Sequence, residues 1–460
     1  MKKSIIRALS VSALSAASLF AMTGCGTVKG AVYEPGTPVK VGLICLHDKE
    51  STYDANFINA LDEAVKDLGA TKVEYKEAWL KTGVDESQDC YDAAKELVKE
   101  GCNVIFADSF GHQDFMLQAA KDWPTVHFCH ATGTNAKTAN LDNYHNAFAS
   151  IYEGRFIAGL AAGIRLGIDA RVDGVTTANF PDTKVGYVGA FPYAEVKSGY
   201  TSWFIGVRTA VSALYRDEAV ADKLSMDVQF TSSWYDPTAE AAAADSLIKA
   251  GAKLVSQHAD SMGAPGTCEK ANIPNVTYNV ETKEACPNTY LAYSRINWAP
   301  YYKAVVNALY EGKAIAGETN HNWTGSLSTG SVEFNINYDN VVKNVPEEGK
   351  TEVKNWLKEM LNDEEHGILP LIKNGSFKIF DTELFALDAA VAQKAGATID
   401  ANGHVTSYKA DTDGDFAGDT EAIGTYTVGT TTRHFFDESH FCSAPYFDLD
   451  IKGINLPAAQ

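Results

Sequence analysis

Lys40-Val-Gly-Leu-Ile-Cys-Leu46 and, far along the same chain, Lys184-Val-Gly-Tyr-Val-Gly189 are the two runs whose reading decides the fold. Each is a short apolar β-type run, and a helical pattern comes after each. After the first, Phe57, Ile58, Leu61, Val65 and Leu68 recur at the three-to-four spacing of one helix face. Then come a strand at Val73 to Trp79, a helix from Tyr91 ending on Gly101, and strands at Asn103 to Ala107 and Thr125 to His130. After the second run, Trp203 to Leu214 makes the helix and Val228 to Ser232 the strand before Trp234. Leu247-Ile-Lys-Ala-Gly-Ala-Lys-Leu-Val-Ser then echoes Leu97-Val-Lys-Glu-Gly-Cys-Asn-Val-Ile-Phe, and Asp260-Ser-Met-Gly263 echoes Asp108-Ser-Phe-Gly111. Echoes kept in one order predict two similar α/β lobes, each a parallel sheet with helices on both faces. Such sheets bind ligands at the carboxyl ends of their strands, so two facing lobes enclose a small molecule when a hinge closes.

The ends of the chain predict where it works. Lys2, Lys3 and Arg7 precede an apolar stretch from Ala8 to Met22, the layout of a secretion signal. That stretch is shorter than the roughly 20 apolar residues of a membrane span. It closes on Met22-Thr23-Gly24-Cys25, which resembles a bacterial lipobox. The expectation is a signal peptide over 1–24, a lipidated Cys25 holding the protein to the membrane by acyl chains, and a tether of low order over 25–38. The remainder of the chain exceeds 400 residues, more than one core supports. A formal charge of −20 without a basic stripe argues against nucleic acid as partner. Setting Cys25 aside, seven cysteines remain, an odd number that excludes a complete disulfide framework within one chain; a Cys268–Cys286 pair is left open. No cysteine or histidine cluster has zinc spacing, and no cofactor motif is present.

Against this background the chain resembles the basic membrane protein family of substrate-binding lipoproteins, which includes purine nucleoside receptors of ABC-type importers. The resemblance runs from about Val39 to Asn340. Lys184-Val-Gly-Tyr-Val-Gly-Ala-Phe-Pro192 with Val196-Lys197 looks like the opening of the second lobe, and Ser233-Trp-Tyr-Asp-Pro237 is similar to the family's aromatic-x-Asp-Pro turn. Tyr152-Glu-Gly-Arg-Phe-Ile-Ala-Gly159 looks like the first crossing between lobes, Trp298 to Gly312 the helix returned to the first lobe, and Trp323-Thr-Gly325 the last crossing. The resemblance implies a type I periplasmic-binding-protein fold with a three-crossing hinge. Lobe 1 is then 39–148 plus 296–324, and lobe 2 is 149–295 plus 325–460, with an insertion over about 393–434. It implies no enzyme. It implies a nucleoside-like ligand sandwiched between rings, an ABC permease as partner, and a place on the extracytoplasmic face of the cell membrane. The alternative is a ligand-sensing subunit feeding a membrane kinase or chemoreceptor.

The family's first-lobe motif, an acid followed by Ser-Phe-Asn, becomes Asp48-Lys-Glu-Ser-Thr-Tyr-Asp54. The resemblance puts Tyr53 in the stacking position, Asp54 in the amide position and Asp48 on a hydroxyl pair, with Trp234 as the opposing ring. A ring at a strand's carboxyl end suits stacking, and carboxylates there accept charge-assisted hydrogen bonds. Ser51 and Asp54 also read as helix N-caps before Phe57. Ser109, Gly111 and His112 come after a strand and reach the same crevice, His112 facing either a ligand atom or solvent. Asp260 holds the matching position of the second lobe, and Asn279 comes directly after the Val276-Thr-Tyr run, as a ligand amide or a turn residue. His127, His130 and Asp142 lack a nucleophile elbow, P-loop or GxGxxG beside them. Asp411-Thr-Asp-Gly-Asp415 lacks the sixth-position glycine and twelfth-position glutamate of an EF-hand and reads as a solvated turn.

Overall fold

The structure is a computed structural model, and it describes residues 28–411, 418–438, 447 and 449–457. The predicted signal peptide, Cys25 and most of Asp411 to Asp415 lie outside the described residues.

Among the described residues the chain builds two seven-stranded sheets. The first holds β1 (Val39–Ile44), β2 (Val73–Glu74), β3 (Leu80–Lys81), β4 (Val104–Ala107), β5 (His127–Ala131) and β6 (Tyr144–Ala149). The second holds β7 (Thr183–Gly189), β8 (Leu224–Phe230), β9 (Val255–His258), β10 (Asn275–Tyr278) and β11 (Tyr290–Ile296). Late in the chain β12 (Asn322–Gly325) returns to pair with β6, and β13 (Val332–Ile336) then pairs antiparallel with β11. The order β12-β6-β5-β4-β1-β2 in one sheet is mirrored by β11-β10-β9-β7-β8 in the other, so the sequence echo is also a topological one. Parallel strands buried on both faces read as continuous apolar runs, as Val-Ile-Phe-Ala in β4 does.

The α-helices up to Tyr310 are, in chain order, α1 (Thr52–Leu68), α2 (Gln88–Lys99), α3 (Gln113–Asp122), α4 (Ala136–Ala139), α5 (Ile151–Val172), α6 (Ala194–Tyr215), α7 (Pro237–Lys249), α8 (Gly263–Ala271) and α9 (Ala299–Tyr310), and a further helix over Glu347–Asn362 comes after β13. Among the described residues no helix is long and apolar enough to cross a membrane. The chain passes between the sheets between β6 and α5, between β11 and α9, and between β12 and β13. Backbone hydrogen bonds pin these passages side by side: Ser150 N–H donates to Gly325 O at 2.7 Å and Asn297 N–H to Ser331 O at 2.8 Å.

Two expectations are corrected, and one pairing left open is resolved. Val73 to Trp79 is not one strand but β2, a 3₁₀ turn over Glu77–Trp79, and β3. Residues 73 and 79, an even number apart, would share a face in an unbroken strand. Val73 instead joins the core on one side of the sheet and Trp79 the core on the other, which the break permits. The low-order tether is also not what Val28 to Pro38 does. Val28 O accepts the indole N–H of Trp123 at 2.9 Å, and Gly36 N–H donates to Tyr310 O at 2.9 Å, so this segment lies along the first lobe. Finally, Cys268 and Cys286 are both buried free thiols.

After residue 364 the chain continues with short helices and three two-stranded antiparallel hairpins, and its strand Ile454–Asn455 extends the second sheet beside β8. Phe380, Phe385, Phe436 and Phe447 form the aromatic centre of this extension.

Candidate functional site

The carboxyl ends of the parallel strands of both sheets face one another across a narrow cavity of about 30 Å³. Its lining comes in strand order from the residues just past each strand. Leu46 and His47 come after β1, Ser109 and Phe110 after β4, and Thr132 after β5. From the second sheet come Glu195 after β7, Trp234 after β8, His258 and Asp260 at the end of β9, and Tyr278 at the end of β10. Tyr53 and Asp54 enter from the first turn of α1. The two edges touch: Thr52 N–H donates to Asp260 O at 3.0 Å, and the His47 and Tyr235 rings stand 5.7 Å apart.

Five of the residues singled out in the sequence therefore line the cavity: Tyr53, Asp54, Ser109, Trp234 and Asp260. Four do not. Asp48 is exposed, and its carboxylate accepts Glu50 N–H at 2.9 Å in a local turn. Gly111 N–H donates to Glu86 Oε1 at 2.8 Å, and a Cβ there would lie 2.5 Å from the Glu86 carboxyl carbon, so this glycine admits Glu86 rather than a ligand. His112 faces neither ligand nor solvent, because it is fully buried with Nε2 2.9 Å from Val84 O. Asn279 takes φ +67°, the left-handed turn that asparagine tolerates. Its amide donates to Asp260 Oδ1 at 3.2 Å, behind the lining.

Ser51 is the N-cap of α1, and its hydroxyl donates to Asp54 Oδ2 at 2.5 Å, so Asp54 belongs to the cap and the cavity wall together. Burial pushes the Asp54 carboxyl up, but hydrogen bonds from His47 and Ser51 outweigh it and leave the group below its ordinary value. Asp108 lies beside it, fully buried, and is held well above its ordinary value by burial and then by the Asp54 charge. The two neighbouring carboxyls are thus pushed apart, Asp54 toward its charged form and Asp108 toward its neutral one. Asp260 is likewise raised, by burial first and then by Asp54, Glu240 and Glu195. His47 is raised by its hydrogen bond to Asp54, whereas burial lowers His258 although its Nε2 stands 3.2 Å from Glu195. Cys45, Asp54 and Asp108 lie close enough to hold a metal ion. Burial pushes the Cys45 thiol well up, and the neighbouring Asp108 and Asp54 charges push it further, toward the protonated form that is a poor metal ligand.

The sequence reading missed Glu195, His258 and Tyr278. It looked past each strand's end, whereas β9 and β10 each turn their last strand residue into the cavity and Glu195 comes from the first turn of α6. Arg155, also missed, holds this wall from behind. Its guanidinium, fully buried on α5, donates to Tyr187 Oη at 2.7 Å, Ser256 Oγ at 2.8 Å and the carbonyls of Gln257 and Thr277 at 3.0 and 3.2 Å. It also lies 5.7 Å from the Tyr278 ring centre. In Arg155→Met these acceptors lose their donor, and urea unfolding is expected to register a loss of about 2–3 kcal/mol; an unchanged midpoint would refute the bracing role.

Two facing α/β lobes around a closed cavity define a solute-binding protein. More particularly, the chain belongs to the family of PnrA-like ABC transporter substrate-binding proteins, whose sequence model matches residues 42–364. It is 28% identical over 338 residues to a purine-binding protein of Brucella abortus, covering 72% of this chain and 85% of that one. It is also 28% identical over 290 residues to a Haloferax volcanii protein provisionally named as an ABC transporter glucose-binding protein, covering 62% of this chain and 65% of that one. Among solved structures, a solute-binding protein of an ABC transporter system from Aeropyrum pernix superposes with a TM-score of 0.53 at 14% identity, over 78% of this chain and 96% of that one. A Bacillus halodurans protein described as a transcriptional activator of the comK gene superposes with a TM-score of 0.50 at 17% identity, over 71% and 99%. These likenesses place the two-lobed fold, and the extension beyond residue 364 lies outside the family match.

Proposed function

We propose that this protein captures a purine-type heterocycle, as base or nucleoside, and delivers it to an ABC permease while anchored through Cys25 to the extracytoplasmic face of the membrane. The lobes 39–148 with 296–324 and 149–295 with 325–460 close on the ligand by a hinge at the three passages. The observation that carries the reading is one aromatic ring from each lobe, Tyr53 and Trp234, in the wall of a single cavity also lined by carboxylates. Flat rings supply stacking faces, and carboxylates supply acceptors for ring and exocyclic N–H groups. The purine-binding name of the Brucella relative supports the same class. Asp54, Ser109 and Asp260 are the proposed polar contacts, while Asp48, Gly111, His112 and Asn279 support the loops behind them.

The test is thermal unfolding of the protein starting after Cys25, with purine bases, nucleosides, hexoses and amino acids each added in turn. A ligand that binds only the folded state adds about 2.7 kcal/mol at 100 times its Kd. A rise with purines, and none with hexoses, is the expected result. A rise with glucose alone would transfer the assignment to sugars.

A further inference from the structure

The hydrogen-bond partners of the cavity wall narrow the ligand class further, on the basis that the purine reading holds. Nearly every side-chain donor in the wall is already committed to a protein acceptor. Tyr53 Oη donates to Asp108 O at 2.9 Å, Ser109 Oγ to Glu86 Oε1 at 2.5 Å, and Tyr278 Oη to Glu195 Oε1 at 3.4 Å. His258 Nε2 is 3.2 Å from the same Glu195 oxygen, and His47 Nδ1 is 3.4 Å from Asp54 Oδ2. No lysine or arginine is among the lining residues.

The groups left for a ligand are the reverse set. Glu195 Oε2 has no protein partner among the described residues. The Trp234 indole N–H is a side-chain donor of the wall without a partner among the described residues. We infer that the cavity selects an amino-bearing heterocycle without negative charge, one whose exocyclic N–H group meets Glu195. This carboxylate is then the residue that sets specificity. A ligand carbonyl or anionic oxygen turned toward it finds no donor and meets like charge, whereas an amino group gives it a charge-assisted hydrogen bond. A site built to bond an N–H rejects the isostere that lacks it, because its own acceptors are left buried and unpaired.

Adenine and 6-methylpurine differ in that one respect, an amino group against a methyl group of similar size. Titration calorimetry of the protein beginning after Cys25 is expected to give adenine at least tenfold tighter binding than 6-methylpurine, and no measurable heat with the urate anion. Glu195→Gln, which puts an N–H donor where the free oxygen was, is expected to narrow the adenine to 6-methylpurine ratio. Equal binding of adenine and 6-methylpurine, or binding of urate, overturns the inference and leaves the purine assignment standing. Failure of every purine overturns both. The wild-type ligand series decides the matter on its own if Glu195→Gln does not fold.

Discussion

Gly159→Ala is expected to destabilise the protein and Gly159→Val to cost about 3 kcal/mol, whereas Gly266→Ala is expected to stabilise it slightly. In an open helix position alanine is favoured over glycine by about 1 kcal/mol, so the two alanine substitutions differ in sign only through packing. A Cβ at Gly159 on α5 would sit 2.1 Å from Trp203 O, and one at Gly206 on α6 would sit 2.3 Å from Phe156 O. These are backbone atoms in the middle of two long helices, and no side chain can turn aside to relieve them. A Cβ at Gly163, one turn on, meets Val207 O at 2.4 Å, so the close approach runs along the helix pair. Overpacking a tight core typically costs about 1–3 kcal/mol, and a clash with main chain belongs at the upper end. Gly266 in α8 has nothing within 4 Å of the added carbon. Urea unfolding of the three variants side by side reads the difference; a gain in stability for Gly159→Ala would mean that α5 and α6 do not pack this closely.

That helix pair also marks where the sequence was readable and where it was not. The strands were legible because parallel strands covered on both faces are apolar throughout, as in Lys40-Val-Gly-Leu-Ile-Cys-Leu46 and its later echo. Helix α5 was seen only as a crossing segment. Its glycines carry no periodic apolar signal, and their meaning depends on α6, which lies beyond β7. The break at Glu77–Trp79 was hidden for a similar reason: an even spacing from Val73 to Trp79 promises one face, and only the burial of Trp79 against the α2 side shows that the strand must end.

In the cavity, Tyr53, Asp54, Ser109, Trp234 and Asp260 were found because residues just past a strand's carboxyl end are the ones a doubly wound sheet presents. The same rule misplaced Asn279, whose left-handed backbone turns its amide back toward Asp260 and leaves Tyr278 facing the ligand space. His112 was misplaced because a histidine in a crevice loop suggests a ligand contact. Here the loop is short enough to fold the ring inward onto Val84 O. Glu195 carried no local signal at all, since its role comes from facing His258 and Tyr278 across the sheet edge.

In Trp234→Ala, purine affinity is expected to fall by about ten- to a hundredfold while the ligand-free protein unfolds at nearly the same temperature. The indole is half-buried at the cavity mouth, edge-on to Phe191 at 5.0 Å and tilted to Tyr193 at 5.9 Å, and touches only the rim of the hydrophobic core. Its one bond to the framework is the main-chain oxygen that accepts Asp260 N–H at 3.0 Å, and alanine keeps that atom. Truncation therefore removes a stacking face without removing a structural brace. Stacking of a base on an aromatic side chain is worth about 1–3 kcal/mol by alanine substitution, which brackets the expected loss. Tyr53→Phe is the informative companion. It keeps the ring and deletes the hydroxyl that donates to Asp108 O at 2.9 Å, so a neutral hydrogen bond of about 1 kcal/mol is at stake, and mainly in stability. A large affinity loss in Trp234→Ala with a small one in Tyr53→Phe means that the rings bind the ligand by their faces. The opposite ranking would place recognition on the polar floor around Asp54 and Asp108. Equal affinity of Trp234→Ala and wild type would remove the ring from the site altogether.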